Sequence, residues 1–151
     1  MMITGLRRQP NNRQLVWVYA DGEKLARLTA EDVEELGLRR GLEADEALVS
    51  EVMRRSALLG ARRAAVRLLA RRSRTRAELR RSLKTKGFEE TIIQTVLDQL
   101  EGMGHLNDAE HARAYAAHLA DRGRAGPRAI YAKLRQRGLP AGMASEATEE
   151  A

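Results

Sequence analysis

Basic side chains are the most abundant groups in this sequence that could do chemistry, and they are concentrated in its central part. From Arg54 to Arg137, twenty Lys and Arg stand against eight Asp and Glu, a net charge of +12. The region Met1–Met53 and the tail from Gly138 each carry a net charge of −3. A block of this size attracts polyanions over about a Debye length, ~8 Å at physiological salt. We therefore expect contact with a polyanion or an acidic protein surface.

The cations of this block recur at helical spacing. Arg76, Arg80 and Lys84 follow one another four residues apart, and Arg128 and Arg135 occupy the comparable face of a later helix. Stripes of this kind can bind phosphates or acidic side chains, and they can equally be the solvated face of a helix. We call the residues that are candidates for such binding the basic surface, which consists of Arg71, Arg72, Arg74, Arg76, Arg80, Lys84, Arg122, Arg124, Arg128, Lys133, Arg135 and Arg137.

The sequence gives no support to catalysis or metal binding. Its lack of cysteine excludes disulfides, thiolate catalysis and cysteine-ligated zinc. The spacings of His105, His111 and His118 bring no close acidic cluster that would complete a metal set. Asn107 and Asp108 are better explained as a helix cap than as an active-site pair, and neither a Gly-rich phosphate loop nor a Ser–His–Asp spacing occurs. We therefore expect no enzyme, catalytic residue, metal or cofactor.

The N-terminal segment alternates apolar and polar residues between turn signals. This pattern predicts three short strands, Ile3–Arg8, Arg13–Tyr19 and Lys24–Leu28, joined into an antiparallel β-meander. Trp17 and Tyr19 on the middle strand could stack on nucleic-acid bases. Packing against an adjacent helix is the more common role for such residues, and we expect it here.

Helical patterns follow the strands. Residues 1–28 are assigned to the β-meander and residues 29–60 to connecting helices. The second of these helices is predicted to begin near Glu43 and to end between Arg55 and Gly60.

From Ala61 onward the sequence repeats itself. Ala61 recurs as Ala112, 51 positions further on, and apolar positions meet apolar positions around both. The repeat predicts two three-helix units, residues 61–106 and 107–151, and stacked units of this kind form a curved rod. The expected fold is therefore mainly α: tandem three-helix repeats in a curved elongated array, with a small N-terminal antiparallel β-meander.

Helix-start signals frame both repeats. Thr75 and Glu78 have the spacing of a capping box, and Asn107 with Asp108 opens the second repeat in a similar way. Residues 140–151 are poor in large apolar side chains, so we expect the third helix of the second repeat to be short or frayed.

A joint pattern runs through several stretches of the two repeats, which are Arg72-Ser73-Arg74-Thr75-Arg76-Ala77-Glu78-Leu79, Lys86-Gly87-Phe88, Gly104-His105-Leu106-Asn107-Asp108, Arg122-Gly123, Gly126-Pro127 and Gly138-Leu139. This joint pattern resembles the RecX family of regulatory proteins. Two departures are visible: His105 stands where the family usually has Tyr, and many members carry a third three-helix repeat. Members of this family bind filaments of the RecA recombinase, and a chain of two repeats is expected to span fewer RecA protomers than a chain of three.

The resemblance implies a regulator that binds the RecA–DNA filament, in its helical groove, and inhibits RecA. The affected activities are strand exchange, ATP hydrolysis and filament-stimulated repressor cleavage, which belong to DNA repair, recombination and the SOS response. The basic surface would face RecA or DNA, and binding to single- or double-stranded DNA alone would be weak. No segment approaches the ~18 apolar residues of a membrane span, so we expect a cytoplasmic monomer without a membrane partner.

A stand-alone helical DNA-binding protein is the alternative. The segments Thr75–Lys86 and Glu89–Glu101 could form a helix-turn-helix. The second of them is acidic and apolar, however, whereas a helix that reads the major groove carries Arg, Asn or Gln at its start. The filament-binding regulator is therefore preferred.

Overall fold

The computed structural model of the chain describes residues 1–123 and 126–151, and within them it has three strands and seven helices. The chain divides into two units, Met1–Arg63 and Ala64–Ala151, with the boundary inside one helix. Arg124, a member of the predicted basic surface, lies outside the described residues.

The N-terminal strands form the predicted antiparallel β-meander. β1 (Ile3–Gln9), β2 (Asn12–Ala20) and β3 (Glu23–Thr29) pair in the order β1-β2-β3. Asp21 and Gly22 connect the last two strands with positive φ angles of 50° and 83°. Positive φ at both positions suits the right-handed twist of a tight hairpin, which explains the Asp-Gly pair.

Residues of β2 alternate between the two faces of the sheet. Val16, Val18 and Ala20 are buried, whereas Trp17 and Tyr19 are partly exposed. Successive side chains of a strand point to opposite faces, so the two aromatic residues share the face opposite these buried side chains. We call this face, which also carries Arg7 of β1, the outer face of the sheet.

A short helix, α1 (Ala30–Glu35), packs on the other face. Trp17 and Tyr19 therefore do not pack against this adjacent helix, which differs from our expectation for them. Thr29 Oγ1 accepts a hydrogen bond from the backbone N–H of Asp32 at 3.0 Å and so caps the first turn. Val33 and Leu36 pack against the buried side chains of the sheet.

The longest helix differs from the prediction. α2 (Glu46–Arg71) runs through Gly60 without a break, although its predicted end lay between Arg55 and Gly60. Glycine in a helix costs roughly 1 kcal/mol relative to alanine. Leu59 and Ala61 on either side of it are buried, and burial of a leucine contributes about 1.5–3 kcal/mol, which outweighs that cost.

Two shorter helices follow, α3 (Arg76–Thr85) and α4 (Glu90–Gly102). Their apolar stripes recur at helical spacing and are buried, as the sequence pattern predicts. Because the chain has 3% aromatic residues, this packing depends on aliphatic side chains. Those buried on the two helices are Leu79, Leu83, Ile92, Ile93, Val96, Leu97 and Leu100.

The second repeat consists of α5 (Asp108–Asp121), α6 (Pro127–Gln136) and α7 (Ala141–Glu150). α7 has ten residues, the same length as α6, and continues to Glu150. Ala144 and Ala147 are buried in the core that it shares with α5 and α6. Small side chains let helices approach closely, so α7 packs without large apolar residues.

Within residues 1–123 and 126–151, no helix combines the length and the apolar character of a membrane span.

Candidate interaction surface

Arg76 begins α3, and its guanidinium is directed onto α4. Its nitrogens lie 2.7 Å from Glu101 Oε2, 2.8 Å from Asp98 Oδ1 and 2.7 Å from Gln94 Oε1. The side chain is only 24% exposed. This differs from the open stripe that the sequence suggested, because the charge of Arg76 is neutralised inside the first repeat.

Arg80, one turn further along α3, is also paired. Its Nε lies 2.6 Å from Glu90 Oε1, and the hydrogen bond from Arg80 lowers the pKa of the Glu90 carboxyl. Lys84 is exposed and makes no ion pair within the part of the chain that the structure describes. Of the three cations at i, i+4 spacing on α3, Arg76 and Arg80 are therefore paired with carboxylates and Lys84 is not, within the described residues.

Thr75 lies at the joint between the two repeats and is fully buried. Its Oγ1 accepts from the backbone N–H of Glu78 at 3.1 Å, and Glu78 Oε1 accepts from the Thr75 N–H at 3.0 Å, which makes a capping box at the start of α3. The same hydroxyl donates to the carbonyl of Arg137 at 2.7 Å. One hydroxyl group thus pairs with a backbone N–H at the start of α3 and with a backbone carbonyl at the end of α6.

Arg137 supports this joint from the second repeat. Its guanidinium lies 3.2 Å from Glu78 Oε1 and 4.7 Å from the centre of the Tyr115 ring. Burial opposes the charge on Glu78, but the Thr75 N–H and the Arg137 charge outweigh it and lower the pKa of the Glu78 carboxyl. Arg72 lies 3.5 Å from the other carboxylate oxygen. Two predicted basic-surface residues therefore contact Glu78 within the fold.

Asp108 crosses the joint in the opposite direction. Its Oδ1 accepts from the backbone N–H of Arg76 at 2.8 Å, so a residue of α5 satisfies a donor at the start of α3. Asn107 caps α5 itself, because its Oδ1 accepts from the N–H of Glu110 at 3.1 Å. The sequence shows Asp108 as a local cap residue, and no local signal reveals its contact with the first repeat.

The remaining cations of the predicted basic surface occupy helix ends and α6. Arg74 Nε donates to the carbonyl of Leu68 at 3.1 Å near the end of α2, and Arg135 Nη1 donates to the carbonyl of Leu139 at 3.0 Å. Arg135 nevertheless remains exposed. We call the members that are exposed and make no side-chain ion pair in the described residues the exposed basic set, which consists of Arg71, Lys84, Arg122, Arg128, Lys133 and Arg135.

His111 is the titratable group with the most distinctive surroundings. Its Nδ1 lies 2.7 Å from Ser73 Oγ, and its Nε2 is buried without a hydrogen-bond partner. Burial, followed by the nearby charge of Arg137, lowers the pKa of the imidazole. His105 and His118 line the same cavity of about 450 Å³. No group of three or more His, Asp and Glu in the described residues is placed to hold a metal.

These features define a protein of tandem three-helix repeats whose helix caps are shared across the joint. The chain belongs to the RecX family. The family model described as the first three-helix domain of RecX matches residues 61–100, and the second three-helix domain matches residues 107–147. Together the two matches span more than half of the chain.

Curated relatives carry the name Regulatory protein RecX. One from Geobacillus thermodenitrificans is 27% identical over 143 residues, which cover 92% of this chain and 53% of that protein. One from Ectopseudomonas mendocina is 39% identical over 92 residues, which cover 61% of each. One from Halorhodospira halophila is 39% identical and covers 60% of this chain and 55% of its own length. The chain thus spans roughly half to three fifths of these relatives.

Two solved structures share the fold. One described as a crystal structure of regulatory protein RecX has a TM-score of 0.80 at 21% identity, and the match covers 99% of this chain and 73% of that one. The RecX structure from Lactobacillus salivarius has a TM-score of 0.61 at 23% identity, covering 62% of this chain and 61% of that one. These matches support a mainly helical fold with tandem three-helix repeats.

Proposed function

We propose that this chain regulates the RecA recombinase by binding the RecA–DNA filament in its helical groove. Binding there inhibits strand exchange, ATP hydrolysis and filament-stimulated repressor cleavage. The observation that carries the proposal is the presence of both RecX three-helix domains in tandem, over residues 61–100 and 107–147. The chain acts as a cytoplasmic monomer, and it needs no catalytic group because it works by occupying a surface.

The exposed basic set is the part of the predicted basic surface that is best suited to this contact. Arg128, Lys133 and Arg135 lie exposed along α6, where their charges are available to an acidic protein surface or to phosphates. Arg76 and Arg80 already form ion pairs with Asp98 and Glu90 of α4. If these arginines left their ion pairs to bind an acidic partner, the exposed carboxylates would repel that partner. We therefore assign filament contact to α6 before α3.

The test is the DNA-dependent ATPase activity of RecA. The full chain is expected to lower the rate at equimolar or lower ratios to RecA. The double variant Arg128→Glu with Arg135→Glu should weaken this inhibition about tenfold or more, because charge reversal at an interface replaces attraction by repulsion. The double variant Arg8→Glu with Arg113→Glu is a matched control, since it makes the same charge change at exposed positions outside the set.

An unchanged ATPase rate at saturating protein would contradict the proposal. Inhibition by the α6 double variant at full strength would contradict only the assignment of the surface. Helical circular dichroism of each variant shows whether the fold is intact.

A stand-alone DNA-binding protein remains the second candidate. α4 would be its recognition helix, but Glu89 and Glu90 stand at the start of α4, where a major-groove helix contacts base edges and carries Arg, Asn or Gln. DNA binding by the chain alone is therefore expected to be weak and steeply salt-dependent. Tight, sequence-selective binding to duplex DNA at physiological salt would favour this candidate instead.

A further inference from the structure

The outer face of the sheet combines aromatic rings with cations. Lys24 Nζ lies 4.3 Å from the centre of the Trp17 ring, and the Arg27 guanidinium carbon lies 5.1 Å from it. The Arg7 guanidinium carbon lies 5.8 Å from the centre of the Tyr19 ring. In these contacts the cations lie over the ring faces, so the charged groups are positioned before any ligand arrives.

The strand register explains why these residues share one face. Arg7, Trp17 and Arg27 are direct partners across β1, β2 and β3, and Tyr19 pairs with Lys24. One row across the sheet therefore consists of Arg7, Trp17 and Arg27, and a neighbouring row contains Tyr19 and Lys24. The first 29 residues carry five Lys and Arg against two Asp and Glu, of which Asp21 lies in the turn between β2 and β3 and Glu23 is the first residue of β3.

An open groove lies next to Tyr19. Its volume is about 500 Å³, within the ~300–1,000 Å³ range of small-ligand sites, and Arg7 and Arg40 supply cations to its lining. Gly5 lines it beside the Tyr19 ring and adds no side chain of its own. The groove is therefore large enough for a flat group with a phosphate beside it.

We propose that the outer face of the sheet binds single-stranded DNA, with bases stacked on Trp17 and Tyr19 and phosphates held by Arg7, Lys24 and Arg40. Partly exposed aromatic rings with cations held over them supply the two groups that single strands use, a stacking surface and a positive charge. An acidic peptide would use the cations but gain little from the rings. The choice of DNA over RNA rests on the proposed function, in which the partner filament contains DNA.

The single tryptophan of the chain allows a direct test. Because Trp17 is the only tryptophan, the tryptophan fluorescence of the full chain, excited selectively over its three tyrosines, reports on this face alone. An oligothymidylate of about twelve nucleotides, within the ~4–16 nucleotides of known single-strand sites, is expected to quench it by stacking. Polyglutamate and the corresponding oligouridylate are titrated in parallel.

Two adjacent arginines of β1 provide a matched pair of variants. Arg7→Glu is expected to weaken oligothymidylate binding roughly five- to tenfold, because it reverses a cation on the outer face. Arg8→Glu makes the same charge change on the opposite side of the strand, where its partner is the buried Val16, and should have little effect. Tyr19→Ala removes a stacking surface and should cost about tenfold, with the Trp17 signal retained.

Several outcomes would overturn the proposal. Saturating oligothymidylate without quenching of Trp17 would show that DNA does not reach this face. Equal losses in the Arg7 and Arg8 variants would show that only net charge matters, and tighter binding of polyglutamate would indicate a protein partner. Tighter binding of oligouridylate would reject DNA as the ligand. All titrations are made without RecA, so their failure leaves the ATPase test unaffected.

Discussion

At the scale of single residues, Gly138 has two geometric properties that oppose substitution. Its φ is +88°, and a Cβ built on it would lie 2.4 Å from the Cβ of Ala77 on α3. Gly87 is its equivalent in the first repeat, 51 positions earlier, with φ of +96° and nothing within 4 Å of such a Cβ. The same backbone conformation therefore occurs once in open space and once at a packed joint.

This pair yields a stability prediction. Gly138→Ala is expected to lower the free energy of unfolding by roughly 2–4 kcal/mol, the sum of a left-handed backbone cost and overpacking. Gly87→Ala should cost only the backbone part, about 1–2 kcal/mol. Urea denaturation of both variants measures the difference. Equal losses would mean that the contact with Ala77 relaxes without cost.

His111 leads to a pH prediction at the same scale. Burial lowers the pKa of its imidazole below the ordinary 6.5, so the unfolded chain binds more protons than the folded one in this range. The contribution of His111 to stability should therefore be complete above about pH 6.5 and decline as the pH falls through 6.5 toward the lower folded value.

Substitution isolates this effect. His111→Gln is expected to reduce the loss of stability between about pH 7.5 and about pH 5.5, and His118→Gln, at an exposed position on the same helix, is the matched control. Urea denaturation at the two pH values measures both. A pH dependence that persists in the His111 variant would assign it to other groups.

At the scale of elements, Thr75 does more than an ordinary N-cap residue. Thr75→Ala removes a cap, which costs about 1 kcal/mol, and it also leaves the carbonyl of Arg137 without its donor, which costs about 1–3 kcal/mol more. Thr29→Ala removes a cap hydrogen bond alone and should cost about 1 kcal/mol. Thermal or urea denaturation compares them, and Thr75→Ser should retain most of the stability. Losses of the same size at both threonines would argue against the double role.

Local signals explain why most elements could be predicted. The strands and α4 follow from periodicity, and α3 follows from periodicity and from a capping box at its start, all of which the sequence displays directly. α2 could not be predicted in full because burial around Gly60 overrides the local preference of glycine. The order of α7 depends on close packing of Ala144 and Ala147, and alanine gives no strong periodic signal.

The site was less predictable than the fold, for a physical reason. The spacing of Arg76 and Arg80 identifies cations on one helix, but their partners Asp98 and Glu90 belong to another. Whether a basic stripe is free or neutralised depends on the way α3 and α4 pack, and sequence periodicity does not contain that information.

At the scale of the whole molecule, charge is divided between binding and folding. The central block carries +12, yet several of its arginines are used inside the repeats, among them Arg76, Arg80 and Arg137. Long-range attraction of polyanions depends on the total charge, whereas contact depends on the exposed basic set. In the proposed function, the charge of the whole block attracts the filament, and the exposed basic set contacts it.

The caps shared across the joint also affect how the repeats unfold. Thr75 and Asp108 each form a hydrogen bond with a backbone group of the other repeat. If either repeat unfolds, a backbone group in the other repeat therefore loses its hydrogen-bond partner. In repeat proteins such coupling raises the interface energy relative to the energy of each unit. The two repeats should accordingly open as one foldon, and the amide hydrogen of Arg76 should exchange with solvent no faster than those in the core of α5.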